Sequence, residues 1–375
     1  MRARVVSGVR GFAGLERSWN ALSHSGGRLG PFNGFSWAFE WWRALGPGRK
    51  LRVIVADDGG QVRGILPLFE EERLGARTLS LIGSAGGGGD YLDVLADDDR
   101  MRQVLFDEAR ALRPDRIELD DLDSASPTIP FLRRALSDRR SALAIVDRYL
   151  CPFLPIRTDF VSYLRTMGRR ENLRRREKWL AAQPGYRIEV ATDARAVPAF
   201  LARFHRLHRA RWDEAGGTQA FADGRLVRFH ARIAERFADE GRLRLWTLWV
   251  AGEAVAVAYT FDDAGRSLYY QSGFLPAWGA KSAGLVLLAK VVEDAFRRGM
   301  REIDFLRGSE SYKREWTREA RRTVSVTWTL SARGALGRAR GRVRAAARRV
   351  ARQALPEAVA VRISRAVRTM RLSPG

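Results

Sequence analysis

The chain has 375 residues, of which 46% are hydrophobic, and this length suggests two domains that each bury a core. Its net charge of +23 is weak evidence for nucleic acid binding, because residues 331–375 hold twelve arginines and one glutamate and so carry nearly half of it. Glu253 interrupts the most apolar stretch, and the lone Cys151 can form neither an intrachain disulfide nor a thiolate zinc site, so we expect a soluble protein of the reducing cytoplasm.

The first half of the sequence predicts a small sheet with helices on it. Strands are expected at 5–9, 51–56, 62–69, 78–82 and 116–119, from alternation of apolar and polar residues or from β-branched runs. Helices are expected at 36–45 and 100–112. The extended segment from Cys151 to Pro155 is the expected boundary between two domains, and a basic segment, 162–180, follows it.

The second half predicts the same order of elements. Strands are expected at 187–191, 243–250, 253–261, 267–272, 302–306 and 323–330, and helices at 197–212, 224–239 and 282–298. Because each element of the first half has a counterpart here, the sequence indicates an internal duplication. The expected division is into domains at 1–155 and 156–330 and a basic tail at 331–375.

Motifs in both halves occur in a recognisable order. They are LYYQSGF from Leu268, GLVLL from Gly284, Gly299, Asp304 with Phe305, the segment Gly308 to Trp316, and in the first half Trp19, the segment 31–42 and GILPL from Gly64. This order resembles the GNAT acyltransferase fold, and the duplication resembles the tandem-GNAT group that includes CelD-like (BioF-type) acetyltransferases and FemAB transferases. The resemblance implies an α/β (α+β) fold with two tandem GNAT-like domains, each a mixed central sheet flanked by helices. It also implies an N-acyltransferase that uses acetyl-CoA or another acyl-CoA.

The start of the predicted helix at 282–298 is the candidate site for the pyrophosphate of that donor. Ala283 and Gly284 allow close approach to a phosphate, Ser282 is a suitable N-cap, and Lys281 adds a positive charge. The run departs from the Gln/Arg-x-x-Gly-x-Gly/Ala spacing typical of the family. The alternative interpretation is an ordinary cap on a core helix.

Three residues are candidates for the chemistry. Asp304 ends a strand at the carboxyl edge of the sheet, where it is a candidate base for the attacking amine or a cap on the following turn. Lys313 lies in a Tyr-Lys-x-x-Trp element that resembles the Phe-Lys element of Fem transferases, and it is a candidate to stabilise an oxyanion or a phosphate. Strand parity separates Tyr269 from Tyr270 and favours Tyr270 for the cleft, as proton donor to the leaving thiolate.

The helix at 197–212 supplies candidate substrate contacts. His208 and Trp212 lie on its apolar face with Phe204, and the alternative for His208 is a hydrogen-bonded core residue. His205 is three residues from His208, but no further ligand is suitably spaced nearby, so no metal is predicted.

Three classes of function stay open. The first is acyl transfer from acyl-CoA to an amine, which the resemblance extends to an amino sugar in envelope or exopolysaccharide biosynthesis. The second is a Fem-like transferase acting on peptidoglycan precursors with aminoacyl-tRNA. The basic segment from Arg165 to Lys178 favours it, and the lack of a long helical insertion between Gly185 and Arg242 counts against it. The third is a binding protein that kept the fold without catalysis.

The tail predicts two basic amphipathic helices. Leu336, Val343 and Val350 recur every seven residues among arginines up to Pro356, and a second basic helix is expected beyond this proline. Such an apolar stripe suits packing on the body, contact with an anionic membrane, or proximity to RNA. We favour peripheral contact with the inner face of the membrane, because basic residues are attracted to anionic lipid.

Overall fold

The computed structural model describes residues 1–25, 30–84, 86, 88–168, 170–214 and 223–354. Its strands are β1 (Arg2–Val6), β2 (Lys50–Asp58), β3 (Gln61–Arg73), β4 (Ala76–Leu81), β5 (Leu95–Ala96), β6 (Arg116–Asp123), β7 (Leu143–Pro155), β8 (Arg187–Ala191), β9 (Leu243–Val250), β10 (Glu253–Asp263), β11 (Arg266–Phe274), β12 (Glu302–Asp304) and β13 (Ala320–Thr329). Its helices are α1 (Val9–Ala13), α2 (Glu16–Ser25), α3 (Phe35–Leu45), α4 (Asp99–Ala111), α5 (Thr128–Ala135), α6 (Phe160–Thr166), α7 (Arg170–Ala181), α8 (Val197–Glu214), α9 (Gly224–Asp239), α10 (Ala283–Arg297), α11 (Ser311–Arg314) and α12 (Ala332–Ala354).

The thirteen strands of the described residues belong to one mixed sheet, in which β5 pairs with β3 beside the main row. The order along the row is β1, β2, β3, β4, β6, β13, β7, β12, β11, β10, β9, β8. The six strands counted inward from β1 and the six counted inward from β8 follow the same pattern. Each half contains one parallel pair, β4 with β6 in the first and β11 with β12 in the second. The structure therefore confirms the predicted α/β (α+β) class and its two similar halves, each a mixed sheet flanked by helices.

The two halves exchange their last strands. β7 follows the N-terminal half in the chain but pairs with β12 of the C-terminal half, and β13 ends the C-terminal half but pairs with β6. β7 and β13 also pair with each other, antiparallel, and this join makes the sheet continuous. The halves are thus linked by backbone hydrogen bonds, while the division of the chain at residue 155 stays a prediction.

Helix α3 links the halves on one face of the sheet. It is apolar on most of its surface, and ten of its eleven residues are buried. It packs on α9, with the rings of Trp37 and Phe229 edge to face at 4.8 Å between centroids. Burial of such large aromatic side chains contributes several kcal/mol in total (roughly 25 cal/mol per Å²) and makes the interface between the halves a core rather than a loose contact.

The C-terminal half was the easier half to predict. The helix at 224–239 and the strand at 243–250 are confirmed at the same bounds, as α9 and β9. In the N-terminal half the first predicted strand is present but its bounds of 5–9 are wrong, because β1 ends at Val6 and Val9 begins α1. The sequence does not predict helices α1, α2, α5, α6, α7 and α11, strand β5 or the full length of β7 as elements.

Helix α12 confirms the predicted first tail helix and shows how it sits on the body. Gly337 and Gly341 face the start of β4, where an added Cβ would lie 3.2 Å from the Ala76 Cβ and 3.3 Å from the Leu74 Cδ1, respectively. Leu336, on another face, is 52% exposed. The second predicted tail helix lies outside the described residues, and within those residues no helix has the length and apolar character needed to cross a bilayer.

Candidate functional site

The parallel strands β11 and β12 separate within the C-terminal half. They pair only where Arg266 to Leu268 face Glu302 to Asp304, because β12 ends at Asp304 while β11 continues to Phe274. The chain turns away after β12, and Leu306 has a positive φ of 54°. Beyond Leu268, β11 therefore has a ladder partner on its β10 side only, among the described strands.

The corresponding gap in the N-terminal half is partly filled by the chain itself. There β4 ends at Leu81 while β6 continues, and Leu92 forms a parallel bridge to Leu122 beyond the end of β4. The first helix after this gap, α4, is capped by Asp98, whose carboxylate accepts a hydrogen bond from the Met101 amide. This acidic cap places a negative charge where a pyrophosphate would have to bind.

Helix α10 begins differently from α4. Ser282 is at the predicted N-cap position, but its φ of 60° is left-handed and its side chain makes no cap hydrogen bond. Its hydroxyl contacts the guanidinium of Arg176, which also donates to the Ala280 carbonyl at 3.0 Å. The first amides of a helix have no partner within the helix, so this end of α10, with buried Ala283 in its first turn, can receive an anion.

Lys281 and Gly284 flank that helix start. Lys281 is exposed, and its Nζ lies 4.7 Å from the centre of the Trp179 ring. A Cβ on Gly284 would lie 2.9 Å from the Phe274 Cδ1, so close packing on Phe274 already requires a glycine here. The four residues from Lys281 to Gly284 thus lie at the start of α10. Their role in donor binding stays a proposal.

Asp304 is completely buried at the end of β12. Its Oδ1 accepts hydrogen bonds from the Leu306 amide at 2.8 Å and from the Tyr91 hydroxyl at 3.2 Å, and its Oδ2 pairs with Arg321 at 3.1 Å. The bond to Leu306 is the turn cap that the sequence left open as an alternative. Burial raises the pKa of Asp304 to about 7, although the Leu306 amide and Arg321 both lower it. Its carboxyl can therefore gain or lose a proton near neutral pH.

Tyr269 and Tyr270 occupy opposite faces of β11, as strand parity predicts. Tyr269 is buried among the apolar side chains around α10, and Tyr270 is half-buried in an aromatic group around α3 and α9. The Tyr270 ring lies 5.6 Å from the His230 ring and 5.6 Å from the Tyr259 ring. Burial raises the pKa of Tyr270, which keeps the phenol protonated at neutral pH. It therefore retains a proton that it can donate.

Lys313 lies in α11 and is buried, unlike most lysines. Its Nζ donates to the Arg307 carbonyl at 2.7 Å and pairs with Glu310 at 3.1 Å. These contacts hold together the turn that follows Asp304. Lys313 is thus close to Asp304 in the fold, and its part in catalysis stays a proposal.

His208 is buried in α8 and packs on Phe204, with 5.3 Å between ring centres. A Cβ on Gly273 of β11 would lie 2.8 Å from the His208 amide, so the helix passes very close to the strand. Trp212, the other predicted substrate contact, has its side chain outside the described residues. Within the part of the chain that is described, no group of three or more His, Cys, Asp or Glu side chains is arranged to hold a metal ion.

Sequence reasoning missed the polar residues that join the halves at Asp304. Arg307 donates through Nε to Asp90 at 2.7 Å, and Asp90 is only 1% exposed. Tyr91 and Arg321 reach Asp304 from segments 213 and 17 residues away. Arg321 is the second residue of β13, after the Trp316 motif, but nothing in the sequence pairs it with Asp304, because the strand exchange creates that contact.

Residues 167–314 match the sequence profile of an acetyltransferase (GNAT) domain. The matched span contains the place where β11 and β12 separate, the start of α10 and Lys313. A comparison with curated proteins gives no match.

Solved structures share the fold over most of the chain. FemX is similar with a TM-score of 0.59 at 11% identity, covering 88% of this chain and 98% of that one. The C-terminal domain of a putative lysylphosphatidylglycerol synthetase from Agrobacterium fabrum is similar with a TM-score of 0.52 at 10% identity, covering 87% and 95%. A tandem GNAT protein from the clavulanic acid biosynthesis pathway aligns with a TM-score of 0.46 at 15% identity, covering 88% and 100%. At these identities the first two similarities concern the fold alone.

Proposed function

We propose that the chain is an N-acyltransferase that moves an acyl group from an acyl-CoA, such as acetyl-CoA, to an amine. The observation that carries this proposal is the separation of β11 from β12 beyond Leu268, next to the start of α10, where the Ser282 side chain makes no cap hydrogen bond. Both lie in the span that matches the acetyltransferase profile. The helix start would hold the pyrophosphate of the donor, and the place where β11 and β12 separate would receive its pantetheine arm and thioester.

The reaction needs one proton acceptor and one proton donor. The amine nitrogen attacks the thioester carbonyl, the carbon–sulfur bond breaks, and the nitrogen loses a proton while the thiolate gains one. Asp304, with its pKa near 7, is the candidate acceptor, and the Tyr91 hydroxyl bonded to it would relay the proton to the buried carboxyl. Tyr270, whose phenol stays protonated, is the candidate donor to the thiolate.

The acceptor is proposed from the CelD-like resemblance. It would be a small molecule or a glycan precursor with an amino group, such as an amino sugar for an envelope or exopolysaccharide. His208 and Trp212 of α8 are the proposed substrate contacts, since α8 passes close to β11 at Gly273. Lys313, which orders the turn after Asp304, is the proposed electrostatic group of the site.

A Fem-like reaction with aminoacyl-tRNA is the second candidate. The observation in its favour is the basic helix α7, which contacts the loop before α10 through Arg176. Any donor bound at that loop would meet this positive charge, and RNA as well as CoA carries phosphates. A binding protein without catalysis is the third candidate, and only an activity measurement separates it from the first.

We also propose that α12 contacts an anionic membrane surface. Leu336 is 52% exposed and Val343 is 70% exposed, while the glycine face of the helix packs on the body. Arginines flank these two side chains along the helix. A stripe of this kind with basic flanks favours binding to anionic lipid headgroups, which would hold a cytoplasmic enzyme at the inner face of the membrane.

Thermal unfolding with added acetyl-CoA, longer acyl-CoAs and total tRNA tests the donor class. A ligand that binds only the folded protein raises its melting temperature by mass action. We expect acyl-CoA to stabilise the protein and tRNA not to do so. Release of free CoA thiol in the presence of amino sugars then tests catalysis. Stabilisation by tRNA alone would favour the second candidate.

A further inference from the structure

Helix α7 presents a stripe of polar and aromatic side chains next to the start of α10. Asn172, Arg175, Arg176 and Trp179 have the i, i+3, i+4, i+7 spacing of one helix face. The Asn172 Oδ1 accepts hydrogen bonds from both arginines, at 3.1 Å from Arg175 and 2.9 Å from Arg176. Leu173 and Leu180 occupy another face and are buried in the core around α10. The helix is thus fixed in place, and its stripe is held in one arrangement.

Two contacts connect this stripe to the loop before α10. The guanidinium of Arg176 bonds the Ala280 carbonyl and the Ser282 hydroxyl. Lys281 stacks its ammonium group over the Trp179 ring at 4.7 Å. The stripe and the helix start therefore form one continuous surface.

This surface is exposed, positively charged and aromatic. Trp179 is 40% exposed, which is unusual for a tryptophan, and its ring lies 6.4 Å from that of Trp278. The surface consists of Asn172, Arg175, Arg176, Trp179, Trp278 and Lys281, so it carries three positive charges and no carboxylate. The neighbouring Glu177 is turned to the side of α7 and pairs with Lys290.

We propose that this surface, which we call the α7 platform, recognises the 3′-phosphoadenosine end of the acyl donor. This inference rests on the proposed function, since it assumes that the donor is a CoA thioester whose pyrophosphate lies at the start of α10. A purine stacks favourably on an exposed indole ring. A phosphate monoester is attracted to Arg175 and Lys281, which flank Trp179.

The charge and size of the platform favour a nucleotide over a long polyanion. Its aromatic part comprises two adjacent rings, Trp179 and Trp278, which suit a single base. Of the α7 cations outside the platform, Arg170 and Arg174 pair with Glu171, and Lys178 is exposed. A single adenosine with its 3′-phosphate fits this arrangement, and RNA binding is an outcome that the experiment distinguishes.

Calorimetric titration of the full chain with CoA and with 3′-dephospho-CoA tests the proposal. We expect Trp179→Ala to weaken binding of both ligands about tenfold, as for loss of one stacked base. We expect Lys281→Ala and Arg175→Ala to weaken binding of CoA more than that of 3′-dephospho-CoA, so that the preference for the 3′-phosphate disappears. Trp249→Ala is the matched control, because Trp249 lies in β9, outside the platform, and likewise has a cation, Arg187, over its ring at 4.5 Å.

The outcomes separate this proposal from the one on which it rests. If the wild type binds CoA and the Trp179 and Lys281 variants bind it equally well, the α7 platform is refuted while the acyl-CoA donor stands. If the wild type binds neither CoA nor 3′-dephospho-CoA, the donor class itself is wrong. If a short single-stranded RNA binds in a manner that depends on Trp179 while CoA does not, the platform serves RNA and the nucleotide proposal is overturned.

Discussion

Replacing Asp304 with asparagine should change how the stability of the protein depends on pH. Burial raises the pKa of Asp304 from an ordinary value of 3.8 to about 7 in the folded state. The folded protein therefore binds this proton more tightly than the unfolded chain does. The stabilisation from the proton is complete below pH 3.8 and is lost as the pH rises through 7. Asparagine keeps an acceptor for the Leu306 amide and does not titrate.

The expected size follows from the two pKa values. Each pH unit between them changes the relative stability by about 1.4 kcal/mol. Because Asp304 is already half ionised at pH 7, the free energy of unfolding of the wild type should fall by about 2 kcal/mol between pH 5 and pH 7 relative to that of Asp304→Asn. Urea denaturation of both proteins at pH 5, 6, 7 and 8 measures this difference directly.

Asp115→Asn is the control for a general effect of removing a carboxylate. A hydrogen bond from Ser331 lowers the pKa of Asp115, so its carboxylate is ionised in both states between pH 5 and 8. Its removal should shift the unfolding free energy by the same amount at each of these pH values. If the difference between wild type and Asp304→Asn is also constant from pH 5 to 8, Asp304 does not hold a proton near neutrality and cannot be the base that we propose.

The same variant separates the two roles of Asp304 in activity. If Asp304 is the general base, Asp304→Asn should reduce turnover by ~100-fold or more and leave the affinity for the donor nearly unchanged. If Asp304 only caps the turn at Leu306, activity should fall no further than the folded fraction does. A loss of activity in proportion to the loss of folded protein would therefore contradict the role of Asp304 as general base.

Three further changes test other parts of the structure. Arg307→Met should lower the free energy of unfolding, measured with urea at pH 7, by about 3–5 kcal/mol, because it removes the charged partner of the buried Asp90. Replacement of the exposed Arg297, Arg297→Met, is the control. An equal loss of stability in both variants would contradict a special role for the Arg307–Asp90 pair. Leu336→Asp with Val343→Asp should abolish sedimentation with phosphatidylglycerol vesicles at low salt, and unchanged binding would exclude the α12 stripe as the contact. Gly337→Leu should speed trypsin cleavage in α12, because its side chain would meet the body at Ala76.

The tail variants have controls within the chain. Val9→Asp with Val146→Asp adds the same charge at valines that are 50% and 60% exposed elsewhere, and we expect it to leave vesicle binding intact. Ala339→Leu puts the same bulk on an exposed position of α12 and should leave trypsin cleavage unchanged. Faster cleavage in both leucine variants would show that the glycine face does not dock the helix.

The elements that the sequence predicted well have strong local signals. Strand β9 is a run rich in large apolar residues and ends at a two-residue turn. Helix α9 begins after the capping residue Asp223. Local rules therefore locate the ends of both elements. Strand β7 has no such signal, because its first residues are largely exposed and two prolines lie near its end. Its pairing with β12 and β13 depends on contacts between distant segments, which periodicity does not reveal.

The residues of the candidate site likewise fall into those with a local sequence signal and those brought together only by the fold. Lys281 to Gly284 and Asp304 were found because each stands at the end of a predicted element, where ligand sites occur. Tyr91 was not found, because its hydroxyl reaches Asp304 across 213 residues of chain. Trp179 was missed for a related reason, since only the packing of α7 on α10 brings it to Lys281.

Hydrogen exchange with and without acetyl-CoA tests the central claim most directly, because it locates the donor without any substitution. We predict slower exchange of the amides at 270–286, in β11 beyond its separation from β12 and at the start of α10, with little change in the counterpart segment 82–98. Slower exchange at 82–98 alone would assign the donor to the N-terminal half. No change in either segment at saturating acetyl-CoA would contradict an acyl-CoA donor.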